Sequence, residues 1–239
     1  MPQKTTEKSN LSISSYKIPE DKLKNDYEYI NVVRYALLPV TNILNPKLIY
    51  YQQHGLSEKD IKKLFFEENG QNDSKDKSTA SIYTRQKQSC APIAFANHYG
   101  LEQANIKGTK VEGDDRSLIN EVKKDPNGIT YNNLGFIYDL NSRKVNDGLA
   151  VIPLDLNENG KLDKEEKIYG TLDELLKNIE TTKPSAIPTE YVTVYFQKEN
   201  SLQNTAIKKF ITYILTSGSQ YNHHYGFLSL DAIPLANTK

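Results

Sequence analysis

The stretch EYINVVRYALLPVTNIL, residues 28–44, is rich in Val, Ile, Leu and Tyr and reads as one or two buried strands. Working outward, polar and apolar periods alternate along the chain. LSEKDIKKLFFEE (56–68) has helical spacing, with Ser57 as N-cap and Asp60 three residues on. SIYTR (81–85) reads as a short strand and APIAFANHYG (91–100) as a helix, with Pro92 in its first turn and Gly100 at its end. SLINEVKKDPNG (117–128) is a helix closed by Pro126 and Gly128, and ITYNNLGFIYDL (129–140) and GLAVIPLDL (148–156) are strands. TLDELLKNIE (171–180) is a helix capped by Thr171, EYVTVYFQK (190–198) a strand, and NTAIKKFITYILTSG (204–218) an amphipathic helix stopped by Gly218. YGFLSL (225–230) reads as a final strand. Strands and helices in alternation imply an α/β architecture with mixed sheets.

Composition narrows the function classes. The 239 residues carry 30 Lys+Arg against 30 Asp+Glu, so no global field favours nucleic acid or an anionic membrane. Cys90 is the only cysteine, which excludes an internal disulfide. No run approaches the length of a membrane span, and the polar N-terminus has no apolar region of the signal-peptide kind. Residues 1–15 are expected to be disordered, and NGQNDSKDKSTA (69–80) to be a polar loop.

DLNENGKLDKEE, residues 155–166, matches the oxygen-ligand pattern of a twelve-residue calcium loop. Asp155, Asn157 and Asn159 hold positions 1, 3 and 5, Lys161 offers its carbonyl at 7, Asp163 stands at 9 and Glu166 at 12, with Gly160 at the sharp turn. The strand expected before it excludes a helix–loop–helix hand. The reading is a single structural calcium loop, beside the plainer one of a solvated β-to-α connection.

A second constellation is RQKQSCAP, residues 85–92. A helix starting near Ala91 directs free N–H groups and the positive end of its dipole at the preceding turn. Ser89 can donate a hydroxyl there, and Arg85 a planar fork for oxyanion oxygens. The expected anion site is Arg85, Ser89 and the N–H groups of Cys90 and Ala91; the plainer reading is an N-cap serine and a surface arginine. Cys90 also permits a different chemistry: QKQSCAPIAFA superficially resembles the start of papain-like cysteine hydrolases, with His223 or His224 as base. No Asn-Ser-Trp orienting motif follows, and a buried, inert thiol is the commoner fate of a lone cysteine. The four histidines have no metal-ligand spacing.

From Tyr35 onward the order of these segments resembles the phosphate-binding periplasmic proteins, the solute receptors of phosphate ABC transporters. YALLPVTNILNP resembles that family's strand crossing between lobes, and RQKQSCAP its R-x3-S-G-T ligand loop. LINEVKKDPNGITYNNLGF and AIKKFITYILTSGSQYNHHYGFLSL resemble its later helix–strand and C-terminal blocks. Cys90 and Ala91 stand where the family has Gly and Thr, and Ser15 where it has an aspartate that accepts a proton from bound phosphate. The resemblance implies a two-lobed type II periplasmic-binding-protein-like fold with its first lobe incomplete: residues 1–36 and 189–239 form what remains of the first lobe, and 37–188 the second. It further implies a monomer that binds phosphate or a similar oxyanion without catalysis and delivers it to an ABC transporter permease, in the periplasm or at the cell surface. A degenerate scaffold without ligand is the remaining alternative.

Overall fold

The computed structural model describes residues 11–16, 18, 27–67, 80–197 and 205–230. The apolar stretch at 28–44 is one strand, β2, Tyr27–Asn42, and β1 is Leu11–Ser14. The helices α1, Leu48–His54, and α2, Glu58–Phe66, follow. Then come β3, Ser81–Arg85, α3, Cys90–His98, β4, Thr109–Val111, α4, Asp115–Lys124, and β5, Gly128–Asn133. A short α5, Leu134–Ile137, leads to β6, Leu149–Val151, α6, Leu172–Thr182, β7, Thr189–Gln197, and α7, Thr205–Tyr213.

The strand order is β1-β7-β2-β5-β3-β4, with β6 also on β2. β2 joins two halves because its register changes partner midway. Its first part pairs antiparallel with β7 as far as Ala36↔Thr189, and from Leu37↔Asn133 it pairs antiparallel with β5. The pairings β3–β5 and β3–β4 are parallel, as strand–helix–strand crossovers require. Two apolar cores follow from this split. Val32, Val33, Val194, Phe196, Ile207 and Ile211 form the smaller one, where α7 covers the β1-β7-β2 part. The larger lies under α2, α3, α4 and α6.

At the centre of the larger core Phe95 of α3 stacks on Tyr131 of β5 with centroids 4.2 Å apart, and Phe65 of α2 meets Phe95 edge-on at 5.1 Å. The Tyr131 hydroxyl, buried behind the sheet, is hydrogen-bonded to Thr84 Oγ1 at 2.7 Å. These contacts fix α3 against the strand pair whose C-terminal ends carry Arg85 and Asn133.

Helix limits follow local chemistry. Ser57 and Asp60 form a reciprocal capping box on α2, Asp114 and Ser117 do so on α4, and Thr171 accepts from the Glu174 N–H on α6.

Several expectations are corrected. Residues 11–14 are not disordered but pair with β7, because Leu11 and Ile13 find partners in Phe196 and Val194; residues 1–10 and 68–79 lie outside the described residues. The strand expected over 129–140 ends at Asn133 and turns into α5, and the one over 148–156 ends at Val151. The final strand expected over 225–230 is a 3-10 turn, His223–Tyr225, followed by a single bridge, Arg34↔Leu228. Gly226 takes φ +76° there, and a Cβ on it would meet the Gly135 nitrogen at 3.1 Å. Two glycines thus let this segment lie directly on α5. Arg143 anchors the same segment. Its guanidinium donates to Asp173 at 2.7 Å and to the carbonyls of His223 and His224 at 2.7 and 3.0 Å.

Candidate functional site

Between the two halves lies a cavity of about 380 Å³. Arg85, Ser89, Cys90, Ala91, Asp115 and Asn133 line it from the larger half, and Ile13, Ser15 and Val192 from the smaller. Tyr35, at the crossing, and Phe136 and Phe227, where the two glycines meet, complete it.

Arg85 is the last residue of β3, and α3 begins five residues later. The loop between is held by Gln103. Its side-chain oxygen accepts from the Ser89 N–H at 3.2 Å, and its amide donates to the Lys87 carbonyl at 3.1 Å. Ser89 is the extended N-cap of α3, yet its hydroxyl makes no capping bond. The sequence explains this. An N-cap serine commonly accepts from the third helical N–H, and that position is Pro92, which has none. The Ser89 hydroxyl is consequently buried without a partner. Cys90 and Ala91, as the first two helical residues, have N–H groups with no acceptor inside the helix.

Arg85 Nη1 donates to Asp115 Oδ1 at 2.8 Å, in an ion pair whose side chains are 15% and 20% exposed. Nε, on the opposite edge of the fork, is buried and unpartnered. Asp115 is itself held: its carbonyl accepts from Asn132 at 2.8 Å, and its second oxygen faces the Asn133 amide at 3.4 Å. The pair therefore occupies Nη1 and leaves Nε without a partner. Tyr35 donates to the Ser15 carbonyl. Burial, then the charges of Glu190, Cys90 and Asp115, push its phenol above the usual range, so it stays a neutral donor.

The four residues expected to make an anion site, Arg85, Ser89, Cys90 and Ala91, are thus brought to one wall of one cavity. Asp115, Asn133 and Gln103 were missed. Their positions, at a helix start, a strand end and a short 3-10 turn, carry no motif, and only the fold brings them to the loop.

The hydrolase arrangement is not assembled. His223 is paired with Glu180 at 2.9 Å and lies 3.4 Å from the Ser229 hydroxyl, and neither His223 nor His224 lines the cavity that Cys90 lines. Burial opposes ionisation of Glu180, but bonds from His223 and the Ser229 N–H hold its carboxyl below the usual range.

The loop 155–166 folds on its own hydrogen bonds. Asp155, 2% exposed, accepts from the N–H groups of Asn159 and Gly160 at 3.2 and 2.7 Å. Glu166, 4% exposed, accepts from Leu156, Asn157 and Asp163 at 2.7, 3.1 and 2.8 Å. Asn157 and Asn159 donate to Asp163, and Lys161 lies 3.2 Å from it. Among the described residues no three His, Cys, Asp or Glu side chains are grouped to hold a metal ion.

No family model and no curated protein matches the chain. Solved structures do. An ABC-type phosphate transport receptor from Vibrio cholerae aligns with TM-score 0.63 at 15% identity, covering 93% of this chain and 80% of that one. A Clostridium perfringens structure, described as a phosphate ABC transporter substrate-binding protein with bound phosphate, gives 0.64 at 16% over the same shares. PstS from Borrelia burgdorferi gives 0.53 at 14%, covering 93% and 79%. With its long shared strand, its two cores and the cavity between them, the chain has the type II periplasmic-binding fold of these phosphate receptors.

Proposed function

We propose that this protein binds phosphate or a related oxyanion in the cavity between its halves and serves, without catalysis, as the extracytoplasmic solute receptor of an ABC transporter permease. One observation carries the reading: Arg85 Nε and Ser89 Oγ are both buried without a partner beside a helix start whose N–H groups are free. An uncompensated buried donor is costly, and an oxyanion at this point satisfies all of them at once. Asp115 holds Nη1 and leaves the Nε edge for two ligand oxygens. The fold of the phosphate receptors agrees with this reading, and the helix N-terminus adds a favourable dipole. Among the described residues no helix is long and apolar enough to cross a membrane. Isothermal titration of inorganic phosphate into the protein is expected to give saturable binding with one site per chain. Absence of heat at millimolar phosphate, together with no thermal shift, ends the proposal.

For residues 155–166 we propose a structural calcium ion. The donor set of carboxylate, amide and carbonyl oxygens fits a hard cation. Entry requires Asp155 and Glu166 to give up some of their N–H bonds, so the expected affinity is weak. Millimolar calcium is expected to raise Tm by mass action on the folded state. Asp163→Ala, which removes a ligand whose side chain is held mainly by Asn157, Asn159 and Lys161, is expected to remove the rise, and an unchanged Tm in the parent protein refutes the ion.

A further inference from the structure

We propose that the cavity takes a small phosphomonoester in preference to the bare phosphate ion, an inference that rests on the oxyanion reading above and names its ligand class. Most of the anion donors identified among the described residues come from one side. Arg85 Nε, Ser89 Oγ and the N–H groups of Cys90 and Ala91 belong to a single loop and helix start, with the Asn133 amide beside them. The facing half contributes Ile13 and Val192, and Phe136 and Phe227 close the space beside them. From that half Ser15 alone is polar; its carbonyl accepts from Tyr35, and its hydroxyl is the single side-chain donor that this half brings to the cavity among the described residues. A phosphate ion seated on the donor wall presents its remaining oxygen to a mostly apolar surface, where it loses more water than the single Ser15 hydroxyl replaces. An ester oxygen in that place carries no full charge, and its organic substituent buries apolar surface against Ile13, Val192 and Phe227. Size agrees. The cavity of about 380 Å³ is far larger than an ion of five heavy atoms and falls in the range of about 300–1,000 Å³ typical of organic ligands held by few polar groups. Asp115 adds a second reason, because its carboxylate takes Nη1 and leaves fewer Arg85 donors for the anionic oxygens.

Titration of inorganic phosphate and of phenyl phosphate into the full chain, with phenol as the control for the organic body, tests this. Phenyl phosphate is expected to bind about tenfold more tightly than phosphate, and phenol alone not to bind. Ile13→Thr, at a strand position 57% exposed and tolerant of a β-branched residue, is expected to narrow the ratio of the two affinities. Phosphate binding as tightly as the ester, or more so, overturns the inference and leaves the oxyanion reading standing. Binding of neither anion overturns both. An unchanged ratio in Ile13→Thr overturns the placement of the organic body against the smaller half.

Discussion

Replacing Arg85 with alanine is expected to weaken phosphate binding by at least a hundredfold. The guanidinium is held by Asp115 through Nη1, its Nε has no partner, and Arg85 lines the cavity. Hydrogen bonds to charged groups are worth about 1.5–3 kcal/mol each, so losing two is worth about 3–6 kcal/mol. With about 1.4 kcal/mol per tenfold, that is two to four orders of magnitude. The variant also leaves the Asp115 carboxylate unpaired beside the anion, which adds repulsion. Arg85→Lys is expected to recover only part of the loss, since a point charge on a flexible stem cannot replace the planar fork and meet Asp115 at the same time. Ser89→Ala removes one hydroxyl donor, and its effect is expected to be smaller than that of Arg85→Ala. Isothermal titration of phosphate into the wild type and these variants ranks them. An Arg85→Ala protein within threefold of the wild type places the anion elsewhere.

Glu166→Ala is expected to produce the largest loss of stability among single substitutions in the 155–166 loop. The carboxylate is 4% exposed and accepts three backbone N–H groups, at 2.7, 3.1 and 2.8 Å. Leaving a buried donor unsatisfied costs about 1–3 kcal/mol, and partial rehydration of the loop limits the sum to about 3–4 kcal/mol. For a domain of this size, about 2–4 °C of Tm per kcal/mol gives a fall of roughly 6–15 °C. Glu166→Gln keeps one acceptor oxygen and is expected to lose about half as much. Thermal unfolding in the presence of a chelator measures the hydrogen-bond contribution free of any bound calcium. A Tm unchanged by Glu166→Ala under those conditions shows that the loop does not depend on this carboxylate.

The elements most legible in the sequence are those whose signals are local. Ser57 and Thr171 cap their helices through side chains within three residues, and SIYTR spans its strand to the residue; the helix expected from Ser117 instead starts at Asp115, capped by Asp114. Other segments were set by distant partners. Leu11–Ser14 has a composition that reads as disordered, and it is a strand because β7 presents an edge to it. YGFLSL has the composition of a strand, but Gly226 against Gly135 turns it onto α5 and leaves only the bridge at Leu228. The helix α1 carries no N-terminal capping side chain and was not read at all.

The sequence by itself determined the alternating α/β order and the helix start that follows Arg85, whereas the two-half arrangement came from the family resemblance, and the stretch 28–44, read as one or two strands, is a single one. The first two depend on residues close in the chain: apolar periodicity, caps, and a helix start following a strand. Only the tertiary structure decided that Asp115 fixes Arg85 across 30 positions of sequence, that Gln103 clamps the loop, and that Ile13, Val192 and Phe227 face the donors across the cavity. It also withheld His223 from Cys90 by pairing that histidine with Glu180. The physical reason is that local hydrogen bonding and periodicity act within a turn or a strand. Which charge neutralises a fork, and which wall a ligand meets, depends on strand order and on the register at which β2 changes partner between Ala36 and Leu37.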